Sequence, residues 1–248
     1  MPVITNIEDL KRIYRRRTPR MFYDYCESGS WTEQTFRENS SDFDDLYFRQ
    51  RVAVDMSNRT TATRMIGQDV AMPVALAPVG LTGMQTADGE IKAAKAAEKF
   101  GIPFTLSTMS ICSIEDVAEH TTKPFWFQLY TMKDQDYLAR LIQRARDAKC
   151  SALVVTLDLQ ILGQRHKDLK NGLSAPPKLT PRSLLSFATH PRWTINYLTH
   201  EKFELSELKD YVPEGSDKPI SIQDYFTDHL DPSMSWRDAE ALRAKWGG

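Results

Sequence analysis

Arg165 carries a planar guanidinium able to give a carboxylate two parallel charge-assisted hydrogen bonds. Asp158 stands shortly before it as an acid and Thr156 adds a hydroxyl, while further upstream Gln128 pairs with Tyr130, and Ser107 with Thr108. Pro78-Val79-Gly80 is a turn-prone opening to the series. Taken singly, each group has an ordinary reading: a loop arginine is a solvated charge, a tyrosine an amphipathic packing residue, and a strand-end hydroxyl a partner for its own backbone. Together they share one property. Each ends or follows a short apolar run, which is where a parallel α/β sheet gathers the groups that bind and react.

The runs that must position them read as strands at 74–78 (VALAP), 103–107 (PFTLS), 125–130 (FWFQLY) and 152–157 (ALVVTL). Helical patterns at 88–100, 113–120 and 134–148 alternate with them. Asp88 is the expected N-cap of the first helix and Gly101 its stop, with Ala93, Ala94, Ala97 and Phe100 on one side. In the third, Leu138, Leu141, Ile142 and Ala145 recur at helical spacing, while Arg140, Arg144 and Arg146 fall largely elsewhere. Runs apolar on both faces suit strands buried in a parallel sheet. This βα repetition fits a (β/α)8 TIM barrel or a doubly wound sheet, and no G-x-G-x-x-G or Walker pattern follows the first run to favour the latter. A proline-rich stretch, 171–232, breaks the rhythm and reads as a long insertion after strand four; a helix at 235–246 then restores it.

The 248 residues and 41% hydrophobic content support one sizeable globular domain, 1–248. With 32 basic against 33 acidic residues, the charge balance argues against a nucleic-acid role. Cys26, Cys112 and Cys150 are odd in number and widely spaced, against a disulfide framework or zinc site and in keeping with a reducing, cytoplasmic setting; Cys112 and Cys150 read as packing residues. The first twenty residues lack the apolar core of a signal peptide, and no stretch is long and apolar enough to span a bilayer. The cluster Lys11, Arg12, Arg15, Arg16, Arg17 and Arg20 reads as a solvated helix face.

Five motifs, YDYCESG near residue 25, ALAPVGLTGM at 75–84, TLSTMSICSIEDVA at 105–118, WFQLYTMKD at 126–134 and TLDLQILGQRHKD at 156–168, occur in order over nearly the whole chain. In that combination the sequence resembles the FMN-dependent L-2-hydroxy-acid dehydrogenase and oxidase family, most closely its bacterial, membrane-associated, quinone-linked L-lactate type. The resemblance implies a TIM barrel of which about the first four βα units are present. It implies that Ala77, Pro78 and Val79 pack beside FMN while Ser107, Gln128 and Thr156 hydrogen-bond its ring, whose fixed edge of donors and acceptors short polar side chains can satisfy. It further implies that Tyr25 and Arg165 hold the substrate carboxylate, Tyr130 its hydroxyl side, and that Asp158 pairs with a catalytic histidine that takes the α-carbon proton.

That histidine is expected beyond residue 248, as are a flavin-contacting lysine, a second carboxylate-binding arginine and the phosphate-binding groups; His120, His166, His190, His200 and His229 do not fall in the family's motif. Gln160 stands where the family has proline in its Asp-x-Pro run. In the insertion, Leu184, Leu185, Phe187, Trp193, Ile195, Tyr197 and Leu198 are interspersed with Lys178, Arg182, Arg192 and Lys202. That pattern suits a peripheral contact with the inner face of the cell membrane, near a quinone or other respiratory acceptor, or else a lid or subunit contact that buries its aromatics. The expected parent activity is oxidation of L-lactate to pyruvate by a homo-oligomer, this chain alone being inactive. The competing readings are a non-catalytic half-barrel, one half of a split enzyme that needs a partner chain, and a non-redox phosphate-binding barrel, which leaves the tyrosine and arginine motifs unexplained.

Overall fold

The computed structural model describes residues 3–159, 161–175, 180–200, 205–211, 220–221 and 228–247. Helices α1 (Ile7–Arg17), α2 (Arg20–Cys26) and α3 (Gln34–Ser41) lead into an antiparallel hairpin, β1 (Thr63–Met65) with β2 (Gln68–Val70). The basic helix α1 buries none of its residues, and Lys11 and Arg12 pair with Glu27 and Asp9. Then comes the βα series: α4 (Thr82–Gln85), α5 (Gly89–Phe100), β3 (Thr105–Ser107), α6 (Ile114–His120), β4 (Trp126–Leu129), α7 (Gln135–Asp147), β5 (Ala152–Val155) and α8 (His166–Asn171).

Strands β3, β4 and β5 pair in that order, all parallel, with Ser107 opposite Gln128 and Gln128 opposite Val154. The expected strand at 74–78 is only a single parallel bridge, Leu76 to Phe104. Pro73 and Pro78 at its ends have no N–H to give a ladder, and the Val74 amide turns back onto the Met72 carbonyl at 2.8 Å. Helix α7 packs Leu138, Leu141, Ile142 and Ala145 into the core, around Leu106, Phe127 and Leu129 of the sheet. Helix α5 follows its pattern except at both ends. Phe100 is exposed, because Gly101 ends the helix in the left-handed conformation (φ 85°) just beyond it. Asp88 stands at the N-cap position but makes no side-chain cap, pairing at 2.8 Å with His200 instead. Cys112 and Cys150 are buried packing residues.

The 171–232 stretch holds more regular structure than its prolines suggest: β6 (Ser174–Ala175), α9 (Pro181–Ala188), α10 (Pro191–Leu198), a 3-10 turn at Ser206–Tyr211 and β7 (Ile220–Ser221), which pairs antiparallel with β6. Pro181 and Pro191 sit in the first turns of their helices, where a missing N–H costs nothing. The aromatics split from the aliphatics. Phe187 and Trp193 are buried against Phe22 and Met84, with the Trp193 indole donating to the Met84 carbonyl at 2.8 Å, whereas Leu184, Leu185, Ile195 and Leu198 are exposed. Lys178 and Lys202 lie outside the described residues, as does Gln160. Helix α11 (Trp236–Trp246) returns Leu242 to the main core.

Candidate active site

A cavity of about 810 Å³ opens at the C-terminal ends of the strands, within the range of roughly 300–1,000 Å³ common for small-molecule sites. Tyr25, Pro78, Val79, Ser107, Tyr130 and Arg165 all line it. Ala77, Gln128, Thr156 and Asp158 do not.

One wall belongs to the sheet, which reaches the cavity at Ser107, with Gln128 and Thr156 bonded in a row outside the lining. The Ser107 hydroxyl donates to Gln128 Oε1 at 3.2 Å, the Thr108 amide donates to the same oxygen at 3.2 Å, and Gln128 Nε2 donates to Thr156 Oγ1 at 2.8 Å. The register that puts Ser107 beside Gln128 makes this row. Gln128 is held further by its carbonyl, which accepts from Thr108 Oγ1 at 2.6 Å. The result is a fixed line of hydroxyl and amide groups across adjacent strands, buried at Ser107 and Gln128 and half-buried at Thr156. The three residues expected to meet a flavin edge are therefore neighbours, and here they satisfy one another.

The other wall is built by helices far apart in sequence. Tyr25 lies near the end of α2 and Arg165 caps α8. The guanidinium lies 5.3 Å from the Tyr25 ring centre, and donates to Asp168 Oδ2 at 2.5 Å, to the Ser28 carbonyl at 3.0 Å, to Ser28 Oγ at 3.1 Å and to the Tyr25 carbonyl. Arg165 thus reaches the cavity but spends most of its donors clasping α2 to α8, where the expectation was a group held for a substrate carboxylate. Ser28 and Asp168 are the residues the motif reading passed over. Both lie inside quoted motifs, and Asp168 follows Arg165 at the i, i+3 spacing that puts two side chains together on a helix.

Burial pushes the Tyr25 phenol up, with Tyr130 adding to the shift and Arg165 opposing it. Burial also raises Tyr130, helped by the charge of Asp158. Both phenols are therefore protonated donors at neutral pH. Burial raises Asp168 against the opposing pull of Arg165. Gly80 permits the close approach of Tyr25, since a Cβ there would stand 2.7 Å from its hydroxyl and 3.0 Å from Met109 Cβ. Glu90, another residue the pattern did not flag, is buried and accepts from the Gly83 and Ile111 amides at 2.9 and 3.0 Å, tying α4 to the segment after β3. Asp158 is exposed. Among the described residues no histidine lines the cavity: His120, His166 and His190 bond to groups within four residues of themselves, His200 pairs with Asp88, and the His229 carbonyl accepts from the Lys133 amide.

The described residues thus combine a hydrogen-bonded row at the ends of parallel strands with a tyrosine-arginine clasp at a cavity lined by Ser107, Tyr25, Tyr130 and Arg165. The FMN-dependent dehydrogenase family matches residues 14–248, and the chain belongs to that family. It is 40% identical to an L-lactate dehydrogenase of Haemophilus influenzae strain PittEE and 39% to one of Acinetobacter baumannii strain ATCC 17978, over 99% of its length in each case. It spans 64% of the length of both relatives. Among solved structures, the monotopic membrane protein (S)-mandelate dehydrogenase superposes with a TM-score of 0.89 at 30% identity, over 99% of this chain and 65% of that one. A lactate oxidase of Pediococcus acidilactici superposes at 0.78 and 20% identity, over 99% of this chain and 58% of that one, a likeness of fold alone.

Proposed function

We propose that this chain supplies the flavin edge and one side of the substrate site of an FMN-dependent enzyme that oxidises an L-2-hydroxy acid, with L-lactate going to pyruvate. The observation that carries the reading is the convergence of Tyr25, Tyr130 and Arg165 on the cavity that Pro78, Val79 and Ser107 also line. The donor set fits the cofactor: Ser107, Gln128 and Thr156 form a rigid row of hydroxyl and amide groups, and Ala77, Pro78 and Val79 lie at the adjoining strand end. FMN, when bound, supplies the two-electron acceptor.

The chain's own groups then have separable roles. The two protonated phenols donate hydrogen bonds, Tyr25 to the substrate carboxylate and Tyr130 to the hydroxyl side. Arg165 adds positive charge beside the carboxylate while holding Tyr25 in place. Asp158, exposed next to Tyr130, orients and stabilises the protonated form of a base that the described residues do not contribute. The outward Leu184, Leu185, Ile195 and Leu198 of α9 and α10 suit a peripheral contact with the inner membrane face, close to a quinone acceptor. The assembled enzyme is read as a homo-oligomer.

The test is to fuse the chain to the part of the Haemophilus influenzae relative that it does not span, and to purify both the fusion and the chain alone. The expected fusion is yellow and loses its flavin absorbance on anaerobic addition of L-lactate, while the chain alone shows no turnover. A fusion with no flavin, or with a flavin that L-lactate leaves oxidised, overturns the assignment.

A further inference from the structure

A second, smaller core adjoins the helix wall of the cavity. Phe22 of α2, Leu81 and Met84 at α4, and Phe187 and Trp193 of the insertion bury one another there, with Tyr25 packed against them. Trp193 lies at its centre. The indole ring stands 5.4 Å from the ring of Phe22, 5.1 Å from Phe187 and 4.9 Å from Tyr197, stacked on the last two. Its N–H donates to the Met84 carbonyl at 2.8 Å. The four-residue α4 contains no amide of its own that could reach that carbonyl, so the insertion supplies the partner. Trp193 itself is not part of the cavity lining.

Both elements that Trp193 touches lead into the cavity. Phe22 and Tyr25 stand at i, i+3 on α2, neighbours on one face of the helix. Met84 belongs to the turn that follows Pro78, Val79 and Gly80 of the cavity lining. Leu81, at the start of that turn, is held at φ 56°, a left-handed conformation that a bulky side chain keeps only where its surroundings fix it, and here it is fully buried in this core. Tyr14 makes a second tie between the same elements, its hydroxyl lying 3.2 Å from the Phe22 carbonyl and in contact with Gln85 Oε1. Loss of Trp193 therefore loosens α2 without releasing it.

We infer that Trp193 is a positioning residue for the substrate wall: from the insertion it holds α2 against α4, and so sets where Tyr25 stands relative to the strand end at Pro78–Gly80. It acts through Phe22 and Met84. The inference rests on the proposed function for what Tyr25 binds, whereas the mechanical link between the insertion and α2 is independent of it.

The link is read in the chain alone, without flavin, through Cys26. This thiol follows Tyr25 on α2, lines the cavity and is pushed up by burial, so it reacts slowly while α2 is seated; Cys112 and Cys150 are buried in the main core. Trp193→Phe keeps a ring but loses the indole donor, and Trp193→Leu loses both. Labelling of Cys26 is expected to rise about fivefold in the first and about twentyfold in the second, with Cys112 and Cys150 unchanged. Leu138→Ala, which opens a hole in the main core, is the control, expected to speed Cys112 and Cys150 at least as much as Cys26. In the flavin-loaded fusion, Trp193→Phe is expected to raise the KM for L-lactate about fivefold with kcat within about twofold, because Tyr25 holds the carboxylate in ground and transition states alike; Leu138→Ala should leave the KM unchanged. Cys26 labelling that is unchanged in Trp193→Phe, or that rises only in step with Cys112 and Cys150, overturns the link. Faster labelling with an unchanged KM overturns the positioning role. A fusion that ignores L-lactate overturns the proposed function and removes Tyr25 as the target, while selective acceleration at Cys26 would still establish the link.

Discussion

The two walls of the cavity are made in different ways. The sheet wall reaches the cavity at Ser107, which strand register puts in a row with Gln128 and Thr156, neighbours about 20 to 30 residues apart, and the polar groups of that row bond one another inside a buried frame. The helix wall joins Tyr25 and Ser28 to Arg165 and Asp168 across some 140 residues of sequence, chiefly through the Arg165 guanidinium, with Asn171 Nδ2 donating to Asp24 Oδ2 at 2.8 Å and Lys167 Nζ to the Glu27 carbonyl at 3.3 Å. A wall held by register is stiff whether or not a ligand is present. A wall in which one side chain makes most of the bonds can be weakened at one position.

The largest expected effect follows from that contrast. Arg165→Met removes every bond of the guanidinium and leaves Asp168, whose Oδ1 is already buried without a hydrogen-bond partner, without its ion-pair partner. The loss should be about 2–3 kcal/mol, reduced from the fully buried case because both side chains retain some solvent contact. Chemical denaturation checks it; an unchanged midpoint would mean that packing and the Asn171–Asp24 and Lys167–Glu27 bonds hold α2 without the guanidinium.

Next is a pH effect on the outer layer of the sheet wall. Glu207 is buried against α6 and α7, accepting from the Ile114 amide at 2.7 Å and lying 2.8 Å from an Arg144 nitrogen. Burial outweighs the arginine and pushes its carboxyl up to about 7 from an ordinary 4.5. A raised acid contributes stability that is fully present below about pH 4.5 and is lost as pH rises through 7, on the order of 3 kcal/mol. Denaturation midpoints across that window should fall with rising pH, and Glu207→Gln should flatten the slope.

Gln128→Leu should cost about 1–2 kcal/mol by taking the acceptor from the Ser107 hydroxyl and the buried Thr108 amide and the donor from Thr156 Oγ1, without loosening α2. The smallest effect is expected of Gly80→Ala, about 1 kcal/mol, because the new methyl would press on Tyr25 and Met109. Tryptophan emission or near-ultraviolet dichroism would show whether that disturbance stays on the helix wall.

The contrast also explains what could be read without coordinates. Three strands and the helices 89–100, 114–120, 135–147 and 236–246 follow from periodicity, because local burial patterns cause them. The sheet wall was legible for the same reason, since groups at strand ends share a face whatever surrounds them. The clasp was only half legible: Arg165 and Tyr25 carry the resemblance, but that the guanidinium bonds Asp168 and Ser28 depends on how α2 docks, which no local pattern records. The strand at 74–78 failed because apolar composition overlooked the two prolines that deny it a ladder. In the 171–232 stretch, proline was read as a breaker where it starts two helices.

The most direct test takes the flavin-loaded fusion and compares Gln128→Leu with Tyr25→Phe. The two-wall account predicts that Gln128→Leu lowers flavin content or shifts its spectrum, while Tyr25→Phe keeps the flavin and raises the KM for L-lactate by about tenfold. Loss of flavin in Tyr25→Phe, or a raised L-lactate KM in Gln128→Leu with its flavin spectrum unchanged, would contradict the division of the site into a cofactor wall and a substrate wall.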